Sequence, residues 1–304
     1  MGLRSIAEQD WIIDRPDWDE HVLEKRDVLR DHYDEVFAAL PEANAGSVEL
    51  LALLVEHCER YLSHRIEIVR SGQGGGGVSA GAAVAAIDRG SGIRTDFADL
   101  HPLDAAARIV PDDLTIQVRD EHEWLLVGAS VAFPSRWVLA EKVGLGLDAV
   151  HDPVPGYDEA LRPAMTGTFD KLRVDRIVER VNWTIPDDPT LFQPVPPGRR
   201  RQAPAATAAR ADGAAMSPAD VVAGLWLRIE RQTVRLLPVS RAAVFTIATF
   251  VEPLTSFADD PEALAALAQT LPTVPAPNLA YKGISAAAPG ITQWAQDRLA
   301  ALGS

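Results

Sequence analysis

Arg228, Glu230 and Gln232 alternate within a run that reads as a strand. Residues two apart on a strand project from one face, so a fixed cation and a carboxylate would stand about 7 Å apart. Such a pair can hold a proton or polarise an oxygen. The plain alternative is a surface ion pair, which contributes little. The chain has seven histidines and one cysteine. His21, His32, His57 and His64 lie in polar stretches of expected helices and read as solvated, while His101 and His122 fall in loop or turn settings. His151 closes an expected helix and is followed by Pro153, Val154 and Pro155, which stiffen the chain beyond it. Taken alone it is a helix C-terminal histidine favoured by the helix dipole. Cys58 sits mid-helix, where a buried thiol is common as packing. Tyr157, Arg180 and Asn182 complete the polar side chains of interest.

The elements that must position these residues follow from periodicity. Val22, Leu29, Val36, Phe37 and Leu40 recur at helical spacing, which predicts a helix from Trp18 to Leu40 capped by Asp17 and ended by Pro41. Ser47 can cap a second helix running from Glu49 to Tyr61. Gly74 to Gly77 imply a mobile loop over Ser71 to Gly81. Leu114, Ile116 and Val118 alternate, and Trp124 to Phe133 returns as a hairpin partner. Helices are expected over Ser135 to Ala149 and Asp158 to Leu172, then a strand over Ile177 to Ile185. A short helix from Ser217 leads to a strand ending at Leu237, a turn over Pro238 to Arg241, and a strand from Ala243 to Val251. Residues 194–215 are rich in Pro, Ala and Arg and read as a flexible insertion. The whole is an α+β layout, an antiparallel sheet with helices on one face. Residues 1–70 form an N-terminal helical extension packed on a core built from 82–304, in what reads as one structural domain.

Composition removes several classes of function. A net charge of −14 disfavours nucleic acid and anionic membranes as partners, because both would repel the chain. No apolar run is long enough to span a bilayer and none resembles a signal h-region, so a cytoplasmic location is expected. One cysteine excludes an internal disulfide and an all-cysteine metal site within the chain. Glycine fingerprints for dinucleotides, a phosphate loop, zinc spacings and a nucleophile elbow are absent from the sequence.

Several uncommon tracts occur in a fixed order. Trp18 to Arg30 with Leu40-Pro41 comes first, then His101-Pro102-Leu103-Asp104 and Asp112-Asp113-Leu114. Phe133-Pro134-Ser135-Arg136-Trp137, Glu141-Lys142-Val143-Gly144 and His151-Asp152-Pro153-Val154-Pro155 follow. Arg180-Val181-Asn182-Trp183 and Arg228-Ile229-Glu230-Arg231-Gln232 lead to Leu237-Pro238 and Phe245-Thr246-Ile247. From about Trp11 to Leu254 the chain thereby resembles the haem (alpha) subunit of the haem-dependent oxidative N-demethylase family. It departs from that family's pattern at Pro111-Asp112-Asp113, and at Ala248 and Phe250, where the family tends to Arg and Tyr. Loss of a cation there bears on the substrate rather than on haem binding.

The resemblance implies a PAS-like domain holding a b-type haem. It implies oxygen activation and oxidation of a small amine such as dimethylamine, with electrons from a separate reductase that carries flavin or iron–sulfur groups and draws on NAD(P)H. It makes His151 the axial ligand of the haem iron, with Cys58 as the competing thiolate. Arg180, Asn182 and Arg231 become candidate cofactor-binding residues, since arginine suits propionate carboxylates. Arg228, Glu230 and Tyr157 become candidate catalytic residues. Trp137 and Trp183 read as core. Two other classes share these features: a haem-based gas sensor or haem-binding module, and a biosynthetic haem oxygenase acting on a larger nitrogen-containing metabolite.

Overall fold

A computed structural model describes residues 2–72, 81–152, 154–156, 162–194 and 216–303, apart from the side chains of 163–166. Gly74 to Gly77, the insertion from 195 to 215, and Tyr157 lie outside the described residues.

The chain begins with β1 (Arg4–Ile6), α1 (Trp18–Asp31), α2 (Tyr33–Val36) and β2 (Phe37–Ala39). The expected helix to Leu40 therefore ends early. His32 closes α1 at φ −133°, and Phe37 to Ala39 leave helical geometry to pair with Gly128 to Ser130 as an edge strand. Next comes α3 (Asn44–Tyr61), which starts three residues before the expected cap. Ser47 lies inside it and its hydroxyl donates back to the Ala43 carbonyl. Gly46 lets α3 approach the sheet, since a Cβ there would stand 3.0 Å from the Cβ of Ala242 and 3.1 Å from Ile116.

A three-stranded sheet, β3 (Ile66–Arg70), β4 (Ala83–Asp88) and β5 (Arg94–Asp96), follows α3 and was not expected from the sequence. Its centre is alanine-rich, a composition that carries little strand signal. Then come α4 (Pro102–Ala107), the hairpin β6 (Asp113–Arg119) and β7 (Trp124–Ser130), α5 (Leu147–His151), α6 (Arg162–Phe169) and β8 (Ile177–Thr184). The helix expected over Ser135 to Ala149 is replaced by a 3-10 turn and the five residues of α5. Its main chain bonds outward instead. Arg136 N–H donates to the Gln193 carbonyl and Gly144 N–H to the Leu126 carbonyl, with Arg136 at φ 63°.

The capping box of Ser217 and Asp220 starts α7 (Pro218–Val222), and β9 (Trp226–Leu236) and β10 (Ala243–Pro253) form the expected hairpin. Glu49 of α3 closes its turn by accepting from the Val239 and Ser240 N–H groups at 2.7 Å each. The chain ends in α8 (Pro261–Thr270), α9 (Ala276–Tyr281) and α10 (Ala288–Leu302).

Among the described residues seven strands form one antiparallel sheet in the order β1-β8-β9-β10-β6-β7-β2. Both faces are covered, not one. Leu114, Ile116, Ile177 and Val244 pack with Trp18, Val22, Leu50, Leu54, Leu103 and Ala106 from α1, α3 and α4. On the other face Val178, Val234, Leu236 and Ala243 pack with Phe169 of α6 and Leu147 of α5. A third cluster joins Val221, Val222 and Leu225 to Leu264, Ile284, Ile291 and Trp294 of the C-terminal helices. Among the described residues no helix is long and apolar enough to cross a membrane.

Candidate active site

The register of β8 against β9 pairs Arg180 with Gln232, Asn182 with Glu230 and Thr184 with Arg228. Strand alternation then puts Arg180, Asn182, Arg228, Glu230 and Gln232 on one face, the face that α5 and α6 cover further along. Their side chains form a chain of bonds. Arg180 Nε donates to Gln232 Oε1 at 2.6 Å, and Gln232 Nε2 donates to Glu230 Oε2 at 3.0 Å. Asn182 Nδ2 donates to the same Oε2 at 3.3 Å, while Arg228 Nε lies 3.7 Å from Oε1. The pair of Arg228 and Glu230 is not a surface ion pair, because the two side chains are 1% and 12% exposed.

The two arginines differ in what remains to them. Arg228 donates from Nη1 to the Leu191 carbonyl at 3.1 Å and from Nη2 to the Phe133 carbonyl at 2.6 Å. It therefore braces the Phe133 and Leu191 segments with both terminal nitrogens. Arg180 keeps both terminal nitrogens without a hydrogen-bond partner among the described residues. Burial pushes its ionisation down, with Glu230 as the opposing anion. The side chain is half-buried, so an anion or an acceptor arriving at these nitrogens would be favoured.

His151 sits at the end of α5, where Leu147 and Val150 pack toward the same face. Its Nδ1 lies 2.8 Å from the Leu147 carbonyl. Burial lowers its pKa, the positive charges of Arg180 and Lys142 lower it further, and the Leu147 carbonyl and Asp148 oppose this. The neutral ring is thereby favoured, and the contact with the Leu147 carbonyl favours the tautomer with the proton on Nδ1.

The remaining candidates fall elsewhere. Cys58 is fully buried within α3 on the opposite side of the sheet, and burial pushes its thiol up to about 12. A thiol this hard to ionise does not serve as a thiolate at neutral pH, so the competing ligand is withdrawn. Arg231 points to the opposite face. It donates to the Trp11 and Asp10 carbonyls and pairs with Glu179, so it is not among the residues assembled here. His21 and His57, expected to be solvated, are buried, against Phe133 and Trp11 respectively. Both come from helices whose polar neighbours face outward while the ring turns in. Ala248 and Phe250 pair with Arg231 and Ile229, also away from Glu230, and the Arg15 guanidinium stacks 4.8 Å from the Phe250 ring. Trp137 and Trp183 are partly buried against apolar clusters.

Sequence reasoning missed the contribution of α9. Lys282 Nζ donates to the Trp183 carbonyl at 2.6 Å, and Glu230 is the charge that holds up the pKa of Lys282 against burial. Glu230 also adds to the burial that raises the Tyr281 phenol. No pattern in residues 276–282 announces this role; only the packing of Leu279 and Ile284 beside Trp183 brings them there.

A family model described as haem-dependent oxidative N-demethylase, alpha subunit-like, matches residues 2–291. The chain belongs to that family. The match runs past Leu254, where the resemblance of individual tracts ended, through α8 and α9 to the start of α10. Haem dependence and oxidative chemistry come with the family's name, and the donor set fits a haem. A half-buried imidazole stands at a helix end on the face that carries Arg180, whose guanidinium is held through Nε. Among the described residues no three His, Cys, Asp or Glu side chains group closely enough to hold a metal ion by themselves.

Proposed function

We propose that this chain binds a b-type haem through His151, on a PAS-like sheet face, and oxidises a small amine at an N-alkyl carbon. The observation that supports the reading best is that the half-buried His151 ring at the end of α5 shares one face with the Arg180–Gln232–Glu230–Asn182 chain. His151 would ligate the iron, and Arg180 would meet a propionate or the oxygen side of the site. When bound, haem supplies the redox chemistry: with O2, two electrons and two protons, an N-methyl amine becomes the demethylated amine, formaldehyde and water.

The side chains do the rest. Asn182 and Gln232 both donate to Glu230 Oε2, which fixes the carboxylate and leaves Oε1 facing Arg228 and the interior. Glu230 would accept a proton from an incoming ammonium, exposing the nitrogen lone pair. The partly unengaged Arg180 supplies donors where negative charge develops, in a setting already ordered by its bond to Gln232. Electrons come from a separate protein, since neither a flavin nor an iron–sulfur signature occurs in this sequence. The alpha-subunit-like name agrees with a partner of that kind.

The test is turnover. Purified protein is loaded with haem, supplied with an external reductase and oxygen, and screened with methylated amines, small and large, for aldehyde release. Formation of aldehyde in step with amine loss supports the reading. Reversible oxygen binding with no aldehyde from any amine rejects catalysis and leaves a haem-based sensor.

A further inference from the structure

The end of α9 is bonded to two walls of the site and passes close to a third. Asn278 Nδ2 donates to the Pro155 carbonyl at 3.3 Å, and the Val154 N–H bonds back to the His151 carbonyl at 2.8 Å, so this contact reaches the turn that follows His151. One helical turn later Lys282 donates to the carbonyl of Trp183 and lies 4.7 Å from the centre of its ring. Trp183 directly follows Asn182, which holds Glu230. Gly283 then turns the chain at φ +72°, and a Cβ there would stand 2.8 Å from Nη1 of Arg136. Arg136 belongs to the loop whose Phe133 carbonyl anchors Arg228.

Residues four apart share a helix face, so Asn278 and Lys282 reach their two carbonyls from one side of α9. Both acceptors are main-chain atoms, which fixes backbone rather than a movable side chain. Below them Leu279 and Ile284 pack with Trp183 and Leu225, so α9 cannot shift without opening that cluster.

We propose that Asn278 and Lys282 are positioning residues that set the spacing between the His151 segment and the strand carrying Glu230. This rests on His151 as the haem ligand. A chain lacking both donors keeps its sheet and its C-terminal cluster, but the His151 segment is no longer held at a fixed distance from β8. Haem then binds more weakly and in more than one ligation state.

The test uses the full chain reconstituted with hemin, comparing the parent, Asn278→Ala with Lys282→Met, Lys282→Arg, and His151→Ala. Three quantities are read: hemin release to excess apomyoglobin, the ferric absorbance spectrum, and the melting temperature of the haem-free protein. The double variant should release hemin at least about tenfold faster, the loss expected for two hydrogen bonds of which one is charged. Its spectrum should move toward that of His151→Ala with haem-free melting nearly unchanged, and Lys282→Arg should restore the parent. Release within twofold of the parent and an unchanged spectrum would overturn the proposal. So would a melting temperature that falls in proportion to the release, which marks a structural role alone. If His151→Ala itself leaves release and spectrum as in the parent, the ligand assignment fails, and the inference fails with it for that separate reason.

Discussion

Replacing Glu230 by Gln preserves shape and removes the anion that the other side chains are arranged around. In the parent, Oε2 accepts from Asn182 at 3.3 Å and Gln232 at 3.0 Å, so an amide at 230 keeps its oxygen there. Its NH2 group must then take the Oε1 position, 3.7 Å from Nε of Arg228, where donor faces donor. The proton of an incoming ammonium loses its acceptor. An acceptor that acts in the transition state is worth about 3 kcal/mol, which is about a hundredfold in rate. The assay follows single turnover of haem-loaded, reduced, oxygen-exposed protein with the best amine from the aldehyde screen. Hemin affinity is measured beside it. A rate lower by about a hundredfold with hemin affinity within threefold of the parent is the expected result. Equal rates in parent and variant would refute the role of Glu230, and a variant that simply loses hemin would show that the carboxylate serves cofactor binding.

Two further perturbations test the buried charges beneath the site. Arg228→Met leaves the Phe133 and Leu191 carbonyls without donors and removes the cation beside Glu230, so unfolding in urea should show a loss of about 3 kcal/mol; a loss under about 0.5 kcal/mol would contradict the bracing role. His21 carries a pH dependence. Burial, then the positive charge of Arg15, lowers its pKa from 6.5 to about 4, against the raising effect of Asp17. The unfolded chain therefore binds the extra proton first, so this stability is present above pH 6.5 and lost as pH falls toward 4. Asp113 runs the other way: burial raises it to about 6, so its contribution is present below 3.8 and lost as pH rises through 6. His21→Phe removes the His21 effect and leaves the others, so the variant should gain on the parent by up to about 3 kcal/mol between pH 6.5 and 4. Parallel stability curves for the two proteins would show that His21 does not titrate as described.

Much of the sheet was legible because its strands alternate cleanly. The hairpin of β6 and β7, the strand β8, and the hairpin of β9 and β10 all follow from period-two patterns with turn residues between them. That alternation also placed Arg228, Glu230 and Gln232 on one face. It could not say which arginine is anchored to the main chain, because the answer depends on the Phe133 and Leu191 carbonyls, distant in sequence. Arg231, next to Glu230 in sequence, faces the other way because one residue along a strand reverses the face. The edge strand β2 and the segment from Ser135 to Gly146 were read as helix because their apolar spacing fits one. Pairing with β7 and with Gln193 decides otherwise, and neither partner leaves a local mark. The C-terminal helices were not read at all, and with them went Asn278 and Lys282.

The central claim is that His151 ligates haem on the face that carries Glu230. The most direct measurement is the absorption spectrum of hemin-reconstituted protein, ferric and ferrous with carbon monoxide, in the parent, His151→Gly and Cys58→Ala, each with and without added imidazole. A histidine-type spectrum is expected in the parent and in Cys58→Ala. In His151→Gly loss of that spectrum is expected, with return when imidazole fills the vacated position. A parental spectrum in His151→Gly without imidazole, or a thiolate-type carbonyl band abolished by Cys58→Ala, would contradict that claim.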